Sequence, residues 1–259
     1  MEDILKLKDK VFVVMGVANE RSLAWGVARS LYQTGAKLIF TYRKERSLNK
    51  LTKLLDEHSL PAELIVACDV TNDESIKQAF TEIGEKAGKI DGIVHSIAFA
   101  HGEDLKGEFI NTTRSGYAFA QDTSAYSLIA VAREAKPYLS DSASIVTMSA
   151  LGAERALEGY KVMGIAKAAL ESSVKYLALE LGKDNIRVNA ISAGPIRTLA
   201  AKGIPSFNQM LHEIETKAPL KANVTQEEVG DMTVAMLSPI SRAVTGEVVH
   251  VDSGYHIIG

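Results

Sequence analysis

This sequence of 259 residues has only one cysteine, no excess of basic residues and no long apolar run. The one cysteine, Cys68, excludes an internal disulfide, and its place in the apolar stretch ELIVAC is typical of a small buried residue. No run approaches the ~20 apolar residues of a membrane span, and the first ten residues, MEDILKLKDK, alternate acids with lysines. We therefore expect a cytoplasmic protein with neither an export signal nor a membrane anchor.

The charge and composition are those of an ordinary globular protein. The net charge of −3 provides no basic excess to neutralise a phosphate backbone, which argues against nucleic acid as a partner. Apolar residues make up 46% and charged residues 24% of the chain, which argues against a disordered or fibrous protein. No repeat or Pro/Gly/Ser-rich linker divides the chain, so we expect one domain spanning residues 1–259.

Short runs rich in valine and isoleucine alternate with segments of helical period. This alternation predicts an α/β fold, in which a doubly wound, Rossmann-like parallel sheet carries helices on both faces. The predicted helices cover residues 22–34, 73–86, 112–139 and 160–181. The seven predicted strands cover residues 10–15, 36–41, 62–67, 91–96, 143–148, 186–191 and 246–251.

The first predicted strand is followed by the segment MGVANERSLAWG, which leads into a helix. Gly16 follows the strand directly, and Ser22 opens the helix. A helix N-terminus presents N–H groups and a positive dipole end to an anion, so a cofactor pyrophosphate would be stabilised there. The glycine spacing departs from G-x-G-x-x-G, and an ordinary strand-to-helix turn would also explain Gly16.

The end of the second predicted strand, LIFTYRKERS, lacks the acid that commonly binds the ribose 2′-hydroxyl of NAD. Arg43, Lys44 and Ser47 could instead hold a 2′-phosphate through charge-assisted hydrogen bonds, which favours NADPH over NADH. The alternative is a solvated helix start with scattered charges. After the third strand, Asp69 could accept a hydrogen bond from an adenine amino group, or it could belong to the N-cap region of the next helix.

Tyr160 and Lys167 are seven residues apart in a predicted helix. Positions with this spacing lie within about 20° of each other on a helix, so both side chains can reach one ligand. We expect the ammonium of Lys167 to stabilise the phenolate of Tyr160 and so to make this tyrosine a better proton donor to a developing oxyanion. The alternative is an amphipathic helix with a surface lysine.

The sequence resembles the short-chain dehydrogenase/reductase superfamily, and more closely its bacterial enoyl-acyl-carrier-protein reductase branch. Ordinary members of the superfamily use Tyr-x3-Lys, whereas the enoyl reductases use the Tyr-x6-Lys spacing of YKVMGIAK. The resemblance extends along nearly the whole chain. The segments that carry it are VVMGVANERSLAWGVA, LIFTYRKERS, GIVHSIAFA, YKVMGIAKAALESSVKYLALELG, NIRVNAISAGPIRTLAAKGI, APLK and VTGEVVHVDSGYHI.

The resemblance implies an activity and roles for individual residues. The activity is reduction of trans-2-enoyl-acyl-carrier-protein by NADPH, or more weakly by NADH, in the last step of fatty-acid elongation. Tyr160 would donate a hydrogen bond to the thioester carbonyl, Lys167 would hold the nicotinamide ribose, and Ala100 would touch the substrate. The other cofactor-binding residues would be Gly16, Ser22, Leu23, Arg43, Lys44, Ser47, Asp69, Val70, Ser96, Ile97, Ala98, Ile196 and Thr198.

The resemblance also implies a homotetramer and a mobile substrate-binding lid around residues 195–217. The small residues Ala200, Ala201 and Gly203 would permit the lid to move. His95 and His250 lie in or near strands and are interpreted as structural residues, and no cluster has the spacing of a metal site. We therefore expect no metal.

The sequence departs from the family pattern at Ala150. Family members commonly have tyrosine there, ten residues before the position of Tyr160. We interpret position 150 as a wall of the substrate pocket in an active enzyme, because Tyr160 and Lys167 are both present. Two alternatives stay open: a carbonyl (3-ketoacyl) reductase of the same superfamily, which the Tyr-x6-Lys spacing disfavours, and an NADPH-binding protein inactivated at Ala150.

Overall fold

The computed structural model describes residues 4–198 and 207–258. Its centre is a parallel sheet of seven strands in the order β3-β2-β1-β4-β5-β6-β7, which confirms the predicted fold class. The strands are β1 (Val11–Met15), β2 (Lys37–Tyr42), β3 (Leu64–Ala67), β4 (Ile90–His95), β5 (Leu139–Ser149), β6 (Arg187–Ala193) and β7 (Val248–Val251).

Eight α-helices lie in the described ranges, between or after these strands. None of them is long and apolar enough to cross a membrane. They are α1 (Leu23–Gln33), α2 (Glu45–Glu57), α3 (Asp73–Ala87), α4 (Arg114–Gln121), α5 (Ser127–Ala135), α6 (Lys161–Leu181), α7 (Phe207–Lys217) and α8 (Gln226–Leu237).

The helices form a layer on each face of the sheet, and each layer has its own apolar core. On one face, Phe80 of α3, Leu128 of α5 and Leu170 of α6 belong to one buried cluster. On the other face, Trp25 of α1 and Val229 of α8 belong to a second. The strands are covered on both sides, which is why they read as nearly continuous apolar runs in the sequence.

The strand order reverses at β1, which pairs with β2 on one side and with β4 on the other. Val14 is in register with Phe40 of β2 and with Val94 of β4. The connection after β1 therefore leads to β2 on one side of the sheet, and the connection after β4 leads to β5 on the other side. This divergence opens a crevice at the carboxyl ends of β1 and β4. In open α/β sheets this switch point is where ligands bind.

The structure corrects several predicted boundaries. The segment 112–139 is not one uniform helix, because a π-helical turn, Asp122–Tyr126, separates α4 from α5, and Leu139 already belongs to β5. Tyr160 is the N-cap of α6 and not its first residue. Helices α7 and α8 were not predicted, and α2 was considered only as a helix start in the alternative interpretation of the segment after β2. For α8 a signal was available, because Thr225 and Glu228 form a capping box of the T-x-x-E type.

Candidate active site

Gly16 lies where the chain leaves β1 and passes the end of β4. Its φ of +99° is a conformation that L side chains rarely adopt, and a Cβ on Gly16 would lie 2.0 Å from the carbonyl oxygen of Ser96. The backbone N–H of Ser96 in turn donates to the carbonyl of Met15 at 3.2 Å. The structure thus brings two predicted cofactor residues together, and the contact leaves room only for glycine.

Ser22 organises the loop before α1 and leaves the helix N-terminus uncapped by its side chain. Its Oγ accepts hydrogen bonds from the backbone N–H groups of Ala18 and Asn19, both at 3.0 Å, and donates to the carbonyl of Asn19 at 2.8 Å. It makes no side-chain bond to α1, whose leading N–H groups, beginning at Leu23, have no acceptor within the helix. This donor set fits the pyrophosphate of a dinucleotide.

Arg43 and Asp69 meet beyond the ends of β2 and β3. Nε of Arg43 donates to Oδ2 of Asp69 at 2.8 Å, while Oδ1 of Asp69 accepts from both the backbone N–H and the hydroxyl of Thr71. Burial works against ionisation of Asp69, but the hydrogen bonds from Thr71 and Arg43 hold its pKa below the ordinary value. Asp69 is not the cap of α3, because Asn72 has that role.

Three other predicted cofactor residues on this side do not join that pair. Lys44 is exposed and is the N-cap of α2, and its carbonyl accepts from the backbone N–H of Ser47 at 2.7 Å. Val70 turns its side chain into the apolar core, so only its backbone remains for a ligand. Helix α2 does begin at this point, as the alternative reading of the segment predicted.

Tyr160 lies in a small apolar cluster. Its ring packs with Ala100 against a set of buried residues from the loop after β4 and from α4 and α6. The buried members are Leu105, Ala120, Val162 and Met163. Two predicted substrate-binding residues therefore share one apolar surface, which is suited to an acyl chain.

The predicted effect of Lys167 on the Tyr160 phenol is wrong in this structure. Burial, and then the charge of Glu171, raise the pKa of Tyr160 above its ordinary value. The phenol therefore stays protonated at neutral pH. Tyr160 can donate a hydrogen bond to an oxyanion, but the ammonium does not make it a stronger acid.

Lys167 is a buried residue, with 6% of its surface exposed, so the alternative of a surface lysine is wrong. Its Nζ donates to the carbonyl oxygen of Met148, at the end of β5, at 2.6 Å. Burial lowers its pKa to about 8, and the nearby carboxylate of Glu171 opposes this shift. The side chain is thus mostly charged at neutral pH and points to the carboxyl end of the sheet.

Glu171 and Ser149 also belong to this site, although Glu171 was not predicted and Ser149 was not among the predicted site residues. The Ser149 hydroxyl donates to Oε1 of Glu171 at 2.5 Å, and both residues are buried. Glu171 lies one helical turn after Lys167, and this i, i+4 spacing was the available signal. Charged residues at two adjacent turns on the buried face of a helix are more typical of a functional site than of an apolar core.

The remaining predicted residues line the same edge of the sheet. Ser96, Ile97 and Ala98 follow β4, with Ile97 packed against the core and Ala98 exposed. Ile196 and Thr198 follow β6, and the Ile196 side chain packs against the second core cluster. Of the predicted lid, the small residues Ala200, Ala201 and Gly203 lie outside the described residues.

Ala150 directly follows β5. Its backbone is extended, with φ −158° and ψ 157°, and it precedes the short turn Leu151–Ala153. Its side chain is half-buried. A larger side chain at this position would therefore need no unusual backbone conformation.

The histidines fit structural roles. His95 is fully buried, its Nδ1 3.0 Å from the hydroxyl of Thr147 and its Nε2 2.9 Å from that of Ser127. Burial, helped by the charge of Lys167, lowers its pKa to about 3, so the ring is neutral. His250 lies 2.6 Å from the carboxylate of Glu154. Within residues 4–198 and 207–258, no group of three or more His, Cys, Asp or Glu could hold a metal ion.

The parallel sheet with its switch at β1, the glycine contact beside it and the Tyr160–Lys167 pair define a dinucleotide-dependent oxidoreductase of the short-chain dehydrogenase/reductase class. Residues 16–256 match the family model described as enoyl-(acyl carrier protein) reductase. The chain belongs to this family.

Curated relatives are similar over nearly the full length. The chain is 56% identical to the NADH-dependent enoyl-acyl-carrier-protein reductase FabI of Bacillus cereus, covering 98% of this chain and 99% of the relative. It is also 56% identical to the NADPH-dependent FabI of Staphylococcus aureus, covering 98% of this chain and 100% of the relative. Relatives of equal similarity are therefore named for different cofactors.

Solved structures agree with this assignment. The Bacillus cereus enzyme, solved with NADP+ and an indole naphthyridinone, superposes with a TM-score of 0.95 at 56% identity and 98% coverage of both chains. The NADH enzyme of Aquifex aeolicus superposes with a TM-score of 0.93 at 46% identity, again covering 98% of both chains. Both the predicted family and the predicted fold are confirmed.

Proposed function

We propose that this chain reduces the carbon–carbon double bond of trans-2-enoyl thioesters carried on acyl carrier protein, in the last step of fatty-acid elongation, with NADPH preferred over NADH. The observation that carries the proposal is the position of Tyr160, a protonated phenol in an apolar cluster at the start of the helix that also carries the buried Lys167. Full-length similarity to enoyl-acyl-carrier-protein reductases supports the same reaction.

The residues of the chain divide the work of this reaction between them. When bound in this site, the dinucleotide would supply a hydride to the β-carbon of the enoyl thioester. As the double-bond electrons move toward the thioester oxygen, the Tyr160 hydroxyl donates a hydrogen bond to that oxygen, where the negative charge accumulates. A donor placed there stabilises the transition state more than the ground state. Uptake of a solvent proton at the α-carbon completes the reduction.

Lys167 has a separate role in holding the cofactor. Its buried ammonium lies at the carboxyl end of β5 and is fixed by the carbonyl of Met148. From this position it would donate hydrogen bonds to the hydroxyls of the nicotinamide ribose. The N-terminus of α1, with the loop organised by Ser22, would bind the pyrophosphate.

The preference for NADPH rests on Arg43, with Lys44 nearby. Arg43 is about half exposed at 48% of its side chain, so its guanidinium is accessible to a 2′-phosphate. The ion pair with Asp69 compensates part of its positive charge. We therefore propose a preference for NADPH that still permits slower use of NADH.

The deciding experiment measures oxidation of NADPH and NADH, in parallel, with crotonyl and longer trans-2-enoyl thioesters and with a 3-ketoacyl thioester. We expect oxidation with the enoyl substrates, faster with NADPH at low concentration. Turnover of the ketoacyl substrate alone would identify a carbonyl reductase. Binding of NADPH without oxidation by any substrate would identify an inactive binder. Location in the cytoplasm and assembly into a homotetramer stay predictions.

A further inference from the structure

The end of β5 is held by two side chains from adjacent turns of α6. Lys167 donates to the carbonyl of Met148, and Glu171 accepts from the hydroxyl of Ser149. Met148 and Ser149 are consecutive residues, and Ala150 follows them directly. A cation and a carboxyl group from α6 therefore bind neighbouring positions of one strand at the edge of the active site.

All three polar side chains of this arrangement are buried. Ser149 is 4% exposed, Lys167 6% and Glu171 9%. Desolvation disfavours a charge on either ionisable group, and an opposite charge nearby offsets part of this penalty. Burial indeed lowers the pKa of Lys167 and raises that of Glu171, and the Glu171 charge opposes the shift at Lys167.

The surrounding elements contribute further charges. On β4, His95 faces Lys167 and is neutral at physiological pH. Glu154, in the turn after β5, disfavours the charged form of Glu171, whereas His250 on β7 and Lys175 on α6 favour it. The hydrogen bond from Ser149 also favours it, and this bond is the direct contact of the carboxylate with β5.

We propose that Glu171 is a positioning residue that keeps the buried Lys167 in its cationic form and anchors the end of β5 through Ser149. It touches neither cofactor nor substrate in this role and acts through Lys167. The inference concerns how the site works and therefore rests on the proposed cofactor-dependent function. Its first test, however, needs no cofactor.

The variant that isolates the charge is Glu171→Gln, because glutamine keeps the size of the side chain and an oxygen that can accept from Ser149. The matched control is Glu180→Gln, the same change at an exposed position of the same helix. Loss of the opposing charge should lower the pKa of Lys167 in the folded protein by about one unit.

The first measurement is the free energy of unfolding of the cofactor-free protein between pH 6 and pH 9, at pH intervals of roughly half a unit. The folded-state pKa of Lys167 is about 8, below its ordinary value of 10.5. Keeping the buried ammonium charged therefore lowers the free energy of unfolding by a full, constant amount below about pH 8, and stability recovers as this cost fades with the rise of pH above the folded-state pKa. Glu171→Gln moves the start of this recovery to lower pH. Its destabilisation relative to the wild type should therefore shrink as pH rises toward 8, while Glu180→Gln should follow the wild type.

The second measurement is the dissociation constant of NADPH against pH, followed by the fluorescence of the bound cofactor. We expect binding to weaken on the alkaline side as Lys167 loses its proton, and this limb to move about one pH unit toward acid in Glu171→Gln. Ser149→Ala removes the hydrogen bond but keeps the carboxylate, so it should leave the limb in place.

A constant destabilisation by Glu171→Gln at every pH, with an unmoved alkaline limb, would overturn the proposal and leave Glu171 a purely structural residue. An equal shift in Ser149→Ala would overturn it as well, because the hydroxyl and not the charge would then control Lys167. If Glu171→Gln does not fold, Glu171→Asp is the substitute, because it moves the charge away from Lys167 by one methylene. It should shift both pH profiles in the same direction by a smaller amount. A protein that binds no NADPH would contradict the proposed function and still leave the unfolding test decisive.

Discussion

The ring of Tyr160 lies directly against the backbone of Gly152. A Cβ on Gly152 would stand 2.1 Å from Cδ1 of Tyr160, and a Cβ on Gly164 would stand 2.7 Å from the carbonyl oxygen of Gly152. Two glycines therefore let the turn after β5, the ring and helix α6 approach one another closely. The position of the Tyr160 ring thus depends on the absence of a Cβ atom at Gly152 and Gly164.

Gly152→Ala should accordingly displace the Tyr160 ring and reduce turnover. A misplacement of about 1 Å at a reacting group can cost about 100-fold in rate, and we expect a loss of roughly 10- to 100-fold in kcat. The control is Gly182→Ala at the end of α6, where an added Cβ meets no atom within 4 Å. Steady-state kinetics of both variants, with thermal unfolding of each, provide the measurement. Wild-type turnover in a folded Gly152→Ala variant would show that the ring has room to adjust.

Tyr160→Phe should lower kcat strongly and leave NADPH binding nearly intact. The change removes only the hydroxyl that donates to the developing oxyanion, and loss of one such donor typically costs about 100- to 1,000-fold in kcat. Lys167→Ala, in contrast, should weaken NADPH binding. The measurements are turnover with an enoyl thioester and a separate binding titration with NADPH. Retention of most activity by Tyr160→Phe would make the Ser149 hydroxyl or an ordered water the leading donor.

Much of the fold could be predicted because its strands are buried on both faces. Continuous apolar runs such as VFVVM stand out from their surroundings, and all seven strands were predicted close to their observed positions. Helix α2, ERSLNKLTKLLDE, was not defined from the sequence, although its buried leucines, Leu51, Leu54 and Leu55, have helical spacing and were an available signal. The π-helical turn Asp122–Tyr126 has no sequence period of its own, which is why α4 and α5 read as one helix.

The sequence could predict the local geometry around the candidate site but not its electrostatics. The Tyr160–Lys167 spacing and the Gly16 turn are visible in the sequence because they depend on local geometry. The charge of Glu171 and the depth of burial are properties of the packed protein, and they reversed the expected pKa shift of Tyr160. Sequence spacing shows that two groups can share a ligand, but it does not reveal which other charged group affects their pKa values in the packed protein.

Replacing both Arg43 and Lys44 with alanine should raise the KM for NADPH about tenfold or more and change that for NADH little. A hydrogen bond to a charged group contributes about 1.5 to 3 kcal/mol, and tenfold corresponds to about 1.4 kcal/mol. Arg46→Ala, at an exposed position in the first turn of α2, serves as the control. Equal losses for both cofactors would show that Arg43 and Lys44 support the fold around Asp69 and do not bind the phosphate.

Ala150→Tyr should lower the KM for enoyl thioesters with a smaller change in kcat. The half-buried Ala150 directly follows β5 in an extended conformation that tyrosine adopts without strain, so the new ring can pack against the acyl chain. Burying such a ring contributes about 1 to 3 kcal/mol, which corresponds to a KM lower by about fivefold or more.

Ala150→Phe is the matched control, because it adds the ring without the hydroxyl and should reproduce most of the gain if packing is the cause. Folding and NADPH affinity must be measured in both variants first, since an added side chain can also overpack the site. If Ala150→Tyr instead raises turnover from an undetectable level while Ala150→Phe does not, the missing hydroxyl is essential, and the chain with alanine is an inactive binder of NADPH.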